Sequence, residues 1–260
     1  MKICILGAGK MGTWLGRALS NDHSVGMFDV DEGRLGGIGR CVPIKDRQGI
    51  TAFSPDLVVN CISLTSLING FEDALPFIPA SCILSDLASI KGDLPAFYRR
   101  SGRPFVSFHP MFGPTFADIG ELRNQNAVII RESDPVGKKF IAGVFRGMGV
   151  TLYEYSFDEH DLMMAYSLTL PFVSSLVFSS CVSTSAVPGT TFRKHLEIAK
   201  GLLSEDDSLL AEIIFNEHSL PQLEKIVGRL NFLWHIVKNR DYEEAHRFFG
   251  VLRKNIGQPE

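Results

Sequence analysis

The sequence has little cysteine, and none of it is arranged to pair. Cys4, Cys41, Cys61, Cys82 and Cys181 are widely spaced, odd in number and without a C-x-x-C pair. That argues against a disulfide framework and a cysteine-rich zinc site, and no metal is expected. Three of the five, Cys4, Cys61 and Cys82, sit inside apolar runs, where cysteine behaves as a small hydrophobe. Long runs of like charge are also missing. Lysines and arginines are scattered and the formal net charge is -3, so no general attraction to nucleic acid or to an anionic membrane is expected. There is no internal repeat and no low-complexity segment. The opening KICILG is far too short for the apolar core of a signal peptide. A reduced, cytoplasmic setting is the expectation.

Apolar sequence, by contrast, is plentiful. Of 260 residues, 45% are apolar and 21% charged, enough for a sizeable core and comfortable for two domains. One run, 162–182, reads LMMAYSLTLPFVSSLVFSSCV; it is uncharged and about as long as a membrane span. Yet it holds many serines, a central Pro171 and no basic flank, while Asp158, Glu159 and Asp161 crowd its start. A helix apolar on all sides can instead be buried in a core or a subunit interface. No membrane association is expected.

The first part of the chain alternates short apolar runs with helical patterns. KICIL (2–6), SVGMFDV (24–30), LVVNCI (57–62), CILSDL (82–87), PFVSF (104–108), NAVII (126–130) and VTLYEY (150–155) read as strands. Helical stretches such as 11–20, 65–75 and 135–148 lie between them. Continuous apolar strands separated by helices predict a parallel sheet covered on both faces. After about Ser156 the strand signals stop. The remainder reads as helices over roughly 158–183, 190–203, 206–218, 220–238 and 241–255, with TSAVPGTT (184–191) as a connecting loop. The expected fold class is α/β. It comprises a Rossmann-type, doubly wound, mainly parallel N-terminal domain (1–155) and an all-helical C-terminal domain (156–260).

The first strand runs into GAGKMG, which places Gly7, Gly9 and Gly12 in G-x-G-x-x-G positions. Such a loop turns tightly, lets backbone N–H groups approach a pyrophosphate, and is followed by a helix whose positive end faces that charge. The alternative is a glycine turn that only packs helix on strand. Strand and helix stand where a dinucleotide site requires them. Asp29, near the end of the second strand, can accept both ribose hydroxyls of NAD and would repel a 2′-phosphate. Asp31 and Glu32 add negative charge, so NAD is favoured over NADP, although Arg34 could serve a phosphate.

Two further segments fall where a doubly wound sheet binds ligands, beyond the carboxyl ends of its strands. SDLASIK brings Asp86, Ser89 and Lys91 close together; Ser89 could equally cap the next helix. In VSFHPMFGP (106–114), His109 precedes a proline, which disfavours helical backbone at the histidine. Pro110, Gly113 and Pro114 stiffen and bend the chain beyond it. An imidazole there suits a general acid or base near a nicotinamide ring. The expected cofactor contacts are Gly7, Ala8, Gly9, Lys10, Met11, Gly12 and Asp29, with Ser63 and Asp86 past the next strands.

GAGKMG, DLASIK and HPMFGP, in this order, resemble the prephenate dehydrogenases, the TyrA family of tyrosine biosynthesis. The likeness continues through DEHDLMMAY (158–166) and FRKHLEIAKGLLSEDDSLLAEIIFN (192–216), and so covers essentially the whole chain. It implies oxidation of prephenate by NAD⁺ to 4-hydroxyphenylpyruvate and CO₂. It implies that His109 is the catalytic base and that Ser89 hydrogen-bonds the substrate hydroxyl and orients the histidine. Lys91 and Asp86 come with the same motif, Lys91 being alternatively a solvated helix charge. His160 matches a histidine that supports the pocket or cofactor, with a solvent-facing helix start as the other reading.

The sequence departs from the family at the expected anchor for the substrate carboxylates. The position of the family arginine reads Gly201, with Lys200 beside it; Arg193, Lys194 and His195 are other candidates. Thr169, Leu170, Pro171 and Phe172 stand where many relatives carry histidines. Arogenate, with an amino group in place of the side-chain ketone, therefore stays open as substrate. Other readings are a redox-silent NAD-binding regulator and another β-hydroxyacid-type dehydrogenase. The resemblance further implies a homodimer through the helical domain, with the apolar run as its spine. No mutase domain is expected ahead of Gly7, and no separate regulatory domain after the helices.

Overall fold

The computed structural model of the protein describes residues 1–113, 119–183 and 187–257, with backbone alone at 119–121. Pro114 and residues 184–186 of the expected connecting loop lie outside these. The N-terminal part contains β1 (Lys2–Leu6), α1 (Lys10–Leu19), β2 (Ser24–Phe28), β3 (Val42–Ile44), α2 (Arg47–Phe53), β4 (Leu57–Asn60) and α3 (Leu67–Ala74). It continues with β5 (Ile83–Asp86), α4 (Leu94–Ser101), β6 (Phe105–Pro110), β7 (Asn126–Ile130), α5 (Pro135–Gly147) and β8 (Thr151–Tyr155). All eight strands form one sheet in the order β3-β2-β1-β4-β5-β6-β7-β8. Every neighbouring pair is parallel except β6 and β7. The chain reverses its direction of travel across the sheet between β1 and β4, which makes their carboxyl ends the switch point of a doubly wound fold.

The strands are apolar without alternation because both sheet faces are covered. In β1, Ile3 and Ile5 point into one core with Leu15, Val59, Phe108 and Phe145. Cys4 and Leu6 point into the other with Val58, Phe71, Leu84 and Phe97. Side chains alternate faces along a strand, so KICIL needs four consecutive apolar residues, Ile3 to Leu6, where a one-sided strand would need two. Burying a large apolar side chain fully contributes about 1.5–3 kcal/mol, and the inner strands β1, β4, β5, β6 and β7 are almost wholly buried.

After β8 the chain is helical: α6 (Phe157–Met164), a π-helical turn (Ala165–Thr169), α7 (Leu170–Ser180), α8 (Thr190–Leu202), α9 (Asp207–Ile214), α10 (Ser219–Asn239) and α11 (Tyr242–Asn255). Ser156 opens α6 with a capping box: its hydroxyl accepts from Glu159 N–H, and the Glu159 carboxylate accepts from Ser156 N–H. Pro171 falls in the first turn of α7, directly after the π-helical turn. Having no N–H, proline cannot bond back to the preceding turn, and the widened winding there accommodates it.

The expected α/β class, a mainly parallel Rossmann-type sheet followed by helices, is borne out, down to strand ends within one or two residues. The short β3 and α2 are not among the expected elements, and the helix expected after SDLASIK starts only at Leu94. The run 157–180 is long and apolar enough to cross a membrane by length and composition, and only 17% of its most apolar window is buried in one chain.

Candidate active site

The register of the central strands aligns their carboxyl ends. Leu6 pairs with Asn60, Asn60 with Asp86, and Asp86 with Ser107, so Gly7, Cys61, Leu87 and Phe108 are the next residues along one edge. From β1 to β6 is three strand spacings, about 14 Å. Along this edge lie the glycine loop, Ser63, Ser89 and His109.

The glycine loop has the shape a pyrophosphate needs. Gly7 has φ +99°, a conformation that L side chains rarely adopt, and its N–H donates to Phe28 O at 2.8 Å. A Cβ at Gly12 would stand 2.0 Å from Gly7 O, so only glycine lets α1 approach the turn this closely. A Cβ at Gly9, in contrast, would meet nothing within 4 Å. Gly9 caps α1 without any side-chain bond, so the first N–H groups of the helix lack a side-chain partner there. Asp29 is buried and its carboxylate accepts from Ala8 N–H at 2.7 Å and Asp31 N–H at 2.9 Å. This pins the acidic residue beside the loop. Arg34 Nη1 lies 3.9 Å from Asp29 Oδ2. Lys10 is exposed, Met11 and Ser63 flank the open side, and Ser63 Oγ is 3.3 Å from Thr65 Oγ1. These residues fit a dinucleotide.

His109 is the penultimate residue of β6 and is 7% exposed. Its Nδ1 lies 3.1 Å from Nε2 of His160, and His160 Nδ1 lies 2.7 Å from Asp161 Oδ1. Asp161 also accepts from the backbone N–H groups of Lys91 and Gly92, at 2.9 and 2.8 Å. Burial pushes His109 well below the usual imidazole range, helped by repulsion from His160 and Lys91. His160 is lowered for the same first reason, although its bond to Asp161 opposes the shift. For Asp161, burial alone would raise the pKa. The donors from His160, Lys91 and Gly92 outweigh burial, so the group is lowered and ionised.

Ser89 lies half-buried in the loop after β5, three residues past Asp86. It is not a helix cap: α4 begins at Leu94 and its cap residue is Asp93. Lys91 is no solvated charge either. It is 2% exposed, with Nζ 2.7 Å from Asp86 Oδ1 and 2.9 Å from Phe108 O. Desolvation lowers its pKa, against the pull of Asp86. The expectation for Asp86 needs correction. It is fully buried, and its oxygens accept from Lys91 Nζ, Ala88 N–H and Tyr98 Oη, so it braces the edge from below rather than meeting the cofactor. His160 is no solvent-facing helix start. Its side chain is wholly buried against His109 and Asp161, so it backs the histidine at the pocket and does not itself meet substrate.

Of the candidate carboxylate anchors, Arg193 and Lys200 are exposed on α8, seven residues or about 10 Å apart along the axis. His195 is turned to Phe178 of α7, ring centroids 5.6 Å apart. Glu205, three residues past α8, reaches the histidine loop: a Cβ at Gly113 would sit 3.8 Å from its Oε1. Sequence reasoning missed the role of Asp161, named only as part of an acidic helix start, and that of Asn60. Buried Asn60 donates to Leu67 O and accepts from Ile62 N–H, fixing the loop after β4.

No family profile matches the chain. Curated relatives are the T-proteins of Enterobacter agglomerans, 29% identical over 154 residues, and Haemophilus influenzae, 24% identical over 241. These alignments cover 56% and 84% of this chain but 40% and 60% of the relatives, so the chain spans about half the length of the proteins it matches. Among solved structures, a prephenate dehydrogenase of A. aeolicus, in complex with hydroxyphenyl propionate and NAD⁺, superposes with a TM-score of 0.83. It is 17% identical, with 98% of this chain and 96% of that one covered. Synechocystis arogenate dehydrogenase gives 0.75 at 18% identity, with 99% of each chain covered. The chain thus has the fold of the prephenate and arogenate dehydrogenases, and the resemblance carried by its motifs is matched by its sequence relatives.

Proposed function

We propose that the protein is an NAD-dependent prephenate dehydrogenase, and the observation that carries this is His109. It is a buried imidazole kept neutral at the carboxyl edge of a sheet whose neighbouring loop is shaped for a pyrophosphate. The glycine loop residues Gly7 to Gly12 would hold the pyrophosphate and Asp29 the ribose of NAD, which would supply the hydride acceptor for the ring carbon bearing the substrate hydroxyl. His109 receives the hydroxyl proton as that oxygen becomes a carbonyl. The electrons freed as the ring carboxylate leaves as CO₂ restore aromaticity. The oxygen then regains the proton from His109, which ends neutral. Ser89 orients the hydroxyl, and Lys200, beside the expected arginine position on α8, is the leading anchor for a carboxylate. In support, the A. aeolicus relative of the same fold holds NAD⁺ and a hydroxyphenyl acid.

The same reading divides the chain at 155/156 into a dinucleotide half and a helical half and pairs two helical halves in a homodimer. Large apolar side chains stand exposed on α7, α10 and α11, among them Val177, Leu223, Leu230, Trp234 and Phe249. A membrane is the poorer partner. The run that is apolar enough to span one, 157–180, carries His160 and Asp161 near its start, and these are tied to His109, Lys91 and Gly92. Arogenate is the second reading, supported by Gly201 standing where the arginine is expected. NADH formation from each purified substrate separates the two. Oxidation of neither would end the proposal.

A further inference from the structure

We propose that Asp161 and His160 are positioning residues that fix the tautomer of His109, so that its Nε2 is the basic nitrogen, and that they share the charge when the proton arrives. This rests on the reading of His109 as the base.

The proton positions follow from donors and acceptors taken in order. An ionised carboxylate only accepts. Asp161 Oδ1 faces His160 Nδ1 at 2.7 Å, so that nitrogen carries a proton. Neutral His160 then has a bare Nε2, which must accept from whatever faces it. The group facing it is His109 Nδ1, at 3.1 Å. The proton of neutral His109 is therefore on Nδ1, and Nε2 is left as the base. When Nε2 takes the hydroxyl proton, the new imidazolium keeps its Nδ1–H on His160, whose own N–H remains on Asp161. No atom has to move, so the reorganisation cost is small.

The anchoring of Asp161 is what makes the direction definite. Gly92 N–H donates to Oδ2 at 2.8 Å, and Lys91 N–H reaches both oxygens. Asn216 Nδ2 donates to Asp161 O at 2.9 Å from the turn between α9 and α10. The chain of bonds is thus assembled from the end of β6, the loop before α4, the start of α6 and the α9–α10 turn. It forms only when the helical half is seated on the sheet. The charged groups facing it are Lys91 and Asp86, locked in their own pair at 2.7 Å. His109 both takes and returns its proton in the proposed reaction. The buried chain therefore has to hold a charge briefly, not deliver it to solvent.

Asp161→Asn tests this with little change of shape. The amide oxygen is drawn to Gly92 and Lys91 N–H, which turns the NH₂ group toward His160. His160 must then carry its proton on Nε2, and His109 must accept at Nδ1 and lose its basic Nε2. Wrong-tautomer replacements of this kind cost up to about 10⁴ in kcat in a serine protease. Here kcat should fall about 10²–10⁴-fold with NAD⁺ affinity within about twofold. Histidine-selective ¹⁵N NMR of the wild-type protein reads the tautomers directly, with His109→Asn and His160→Asn assigning the signals. Nδ1–H at both residues is expected, switching to Nε2–H in Asp161→Asn. Nε2–H at either histidine in the wild type overturns the proposal, whether or not the variant folds. Wild-type turnover in folded Asp161→Asn, with His109→Asn inactive, also overturns it and leaves the base intact. A wild-type protein that oxidises neither substrate while showing both Nδ1–H signals removes the function and not the hydrogen-bond chain.

Discussion

Gly9 and Gly12 stand three residues apart in one loop and answer to different demands. At Gly12 an added methyl would meet Gly7 O at 2.0 Å, so Gly12→Ala must push α1 off the turn. At Gly9 the methyl meets only open space, and φ -69° suits alanine. Gly9→Ala should leave the melting temperature unchanged or slightly higher. It should nonetheless weaken NAD⁺ binding by about tenfold or more, because the methyl occupies the path of the pyrophosphate. Gly12→Ala should lower both. Calorimetric melting and NAD⁺ titration of the two variants check this; unimpaired binding by Gly9→Ala would remove the pyrophosphate from the loop. The glycine loop and His109 were legible in the sequence because their constraints are local: a strand, a turn, a proline. Asp86, Lys91 and His160 were not legible in their roles. Whether a polar residue faces ligand or interior depends on partners that the chain brings from elsewhere, as in the bonds of Asp86 to Tyr98, of Lys91 Nζ to Phe108 O and of His160 to His109.

Helix α6 shows how a short element can carry a site. Its own pattern is scarcely amphipathic, and its first turn places Asp158 and Glu159 at the positive end of the helix. The capping box at Ser156 fixes where the helix starts, and thereby the direction in which His160 and Asp161 project. Ser156→Ala removes the acceptor for Glu159 N–H and should cost about 0.5–2 kcal/mol in urea unfolding. It should also lower kcat several-fold through loss of alignment at His109, while Ser156→Asp, which can still cap, should restore both. A full loss of stability with no change in kcat would mean that the cap only holds the helix. The S-x-x-E spacing at 156–159 is local, but the expected helix start at about 158 rests on the acidic residues there and makes no use of it. The sequence did not announce the short β3, since VPI has too few residues for any period. Nor did it reveal the π-helical turn before Pro171, which depends on how one turn of chain is accommodated among its neighbours rather than on propensity.

For the molecule as a whole, two buried neutral histidines make stability depend on pH. Both are lowered in the folded state, chiefly by burial, whereas in the unfolded chain they titrate near 6.5. Between the folded and unfolded values the unfolded chain binds more protons, so stability is present above about pH 6.5 and is lost as pH falls. Urea unfolding at pH 7.5 and 5.5 should differ by about 1–3 kcal/mol, and His109→Asn should shrink the difference; equal stabilities at the two values would mean the imidazoles are not held neutral. The second whole-molecule consequence concerns α10. Leu220, Leu223, Val227, Leu230 and Val237 recur at helical spacing and are each 38–67% exposed. Such a stripe on one chain is the mark of a helix awaiting a partner. If that partner is a second copy, sedimentation should give twice the mass of one chain at micromolar concentration. Leu230→Glu, at the middle of the stripe, should shift the population to single chains, because like charges and their hydration would be forced together across a two-fold axis. The sheet does not use α10, so NAD⁺ binding should survive in that variant. A wild-type protein that sediments as one chain at every concentration would leave the stripe without its second copy.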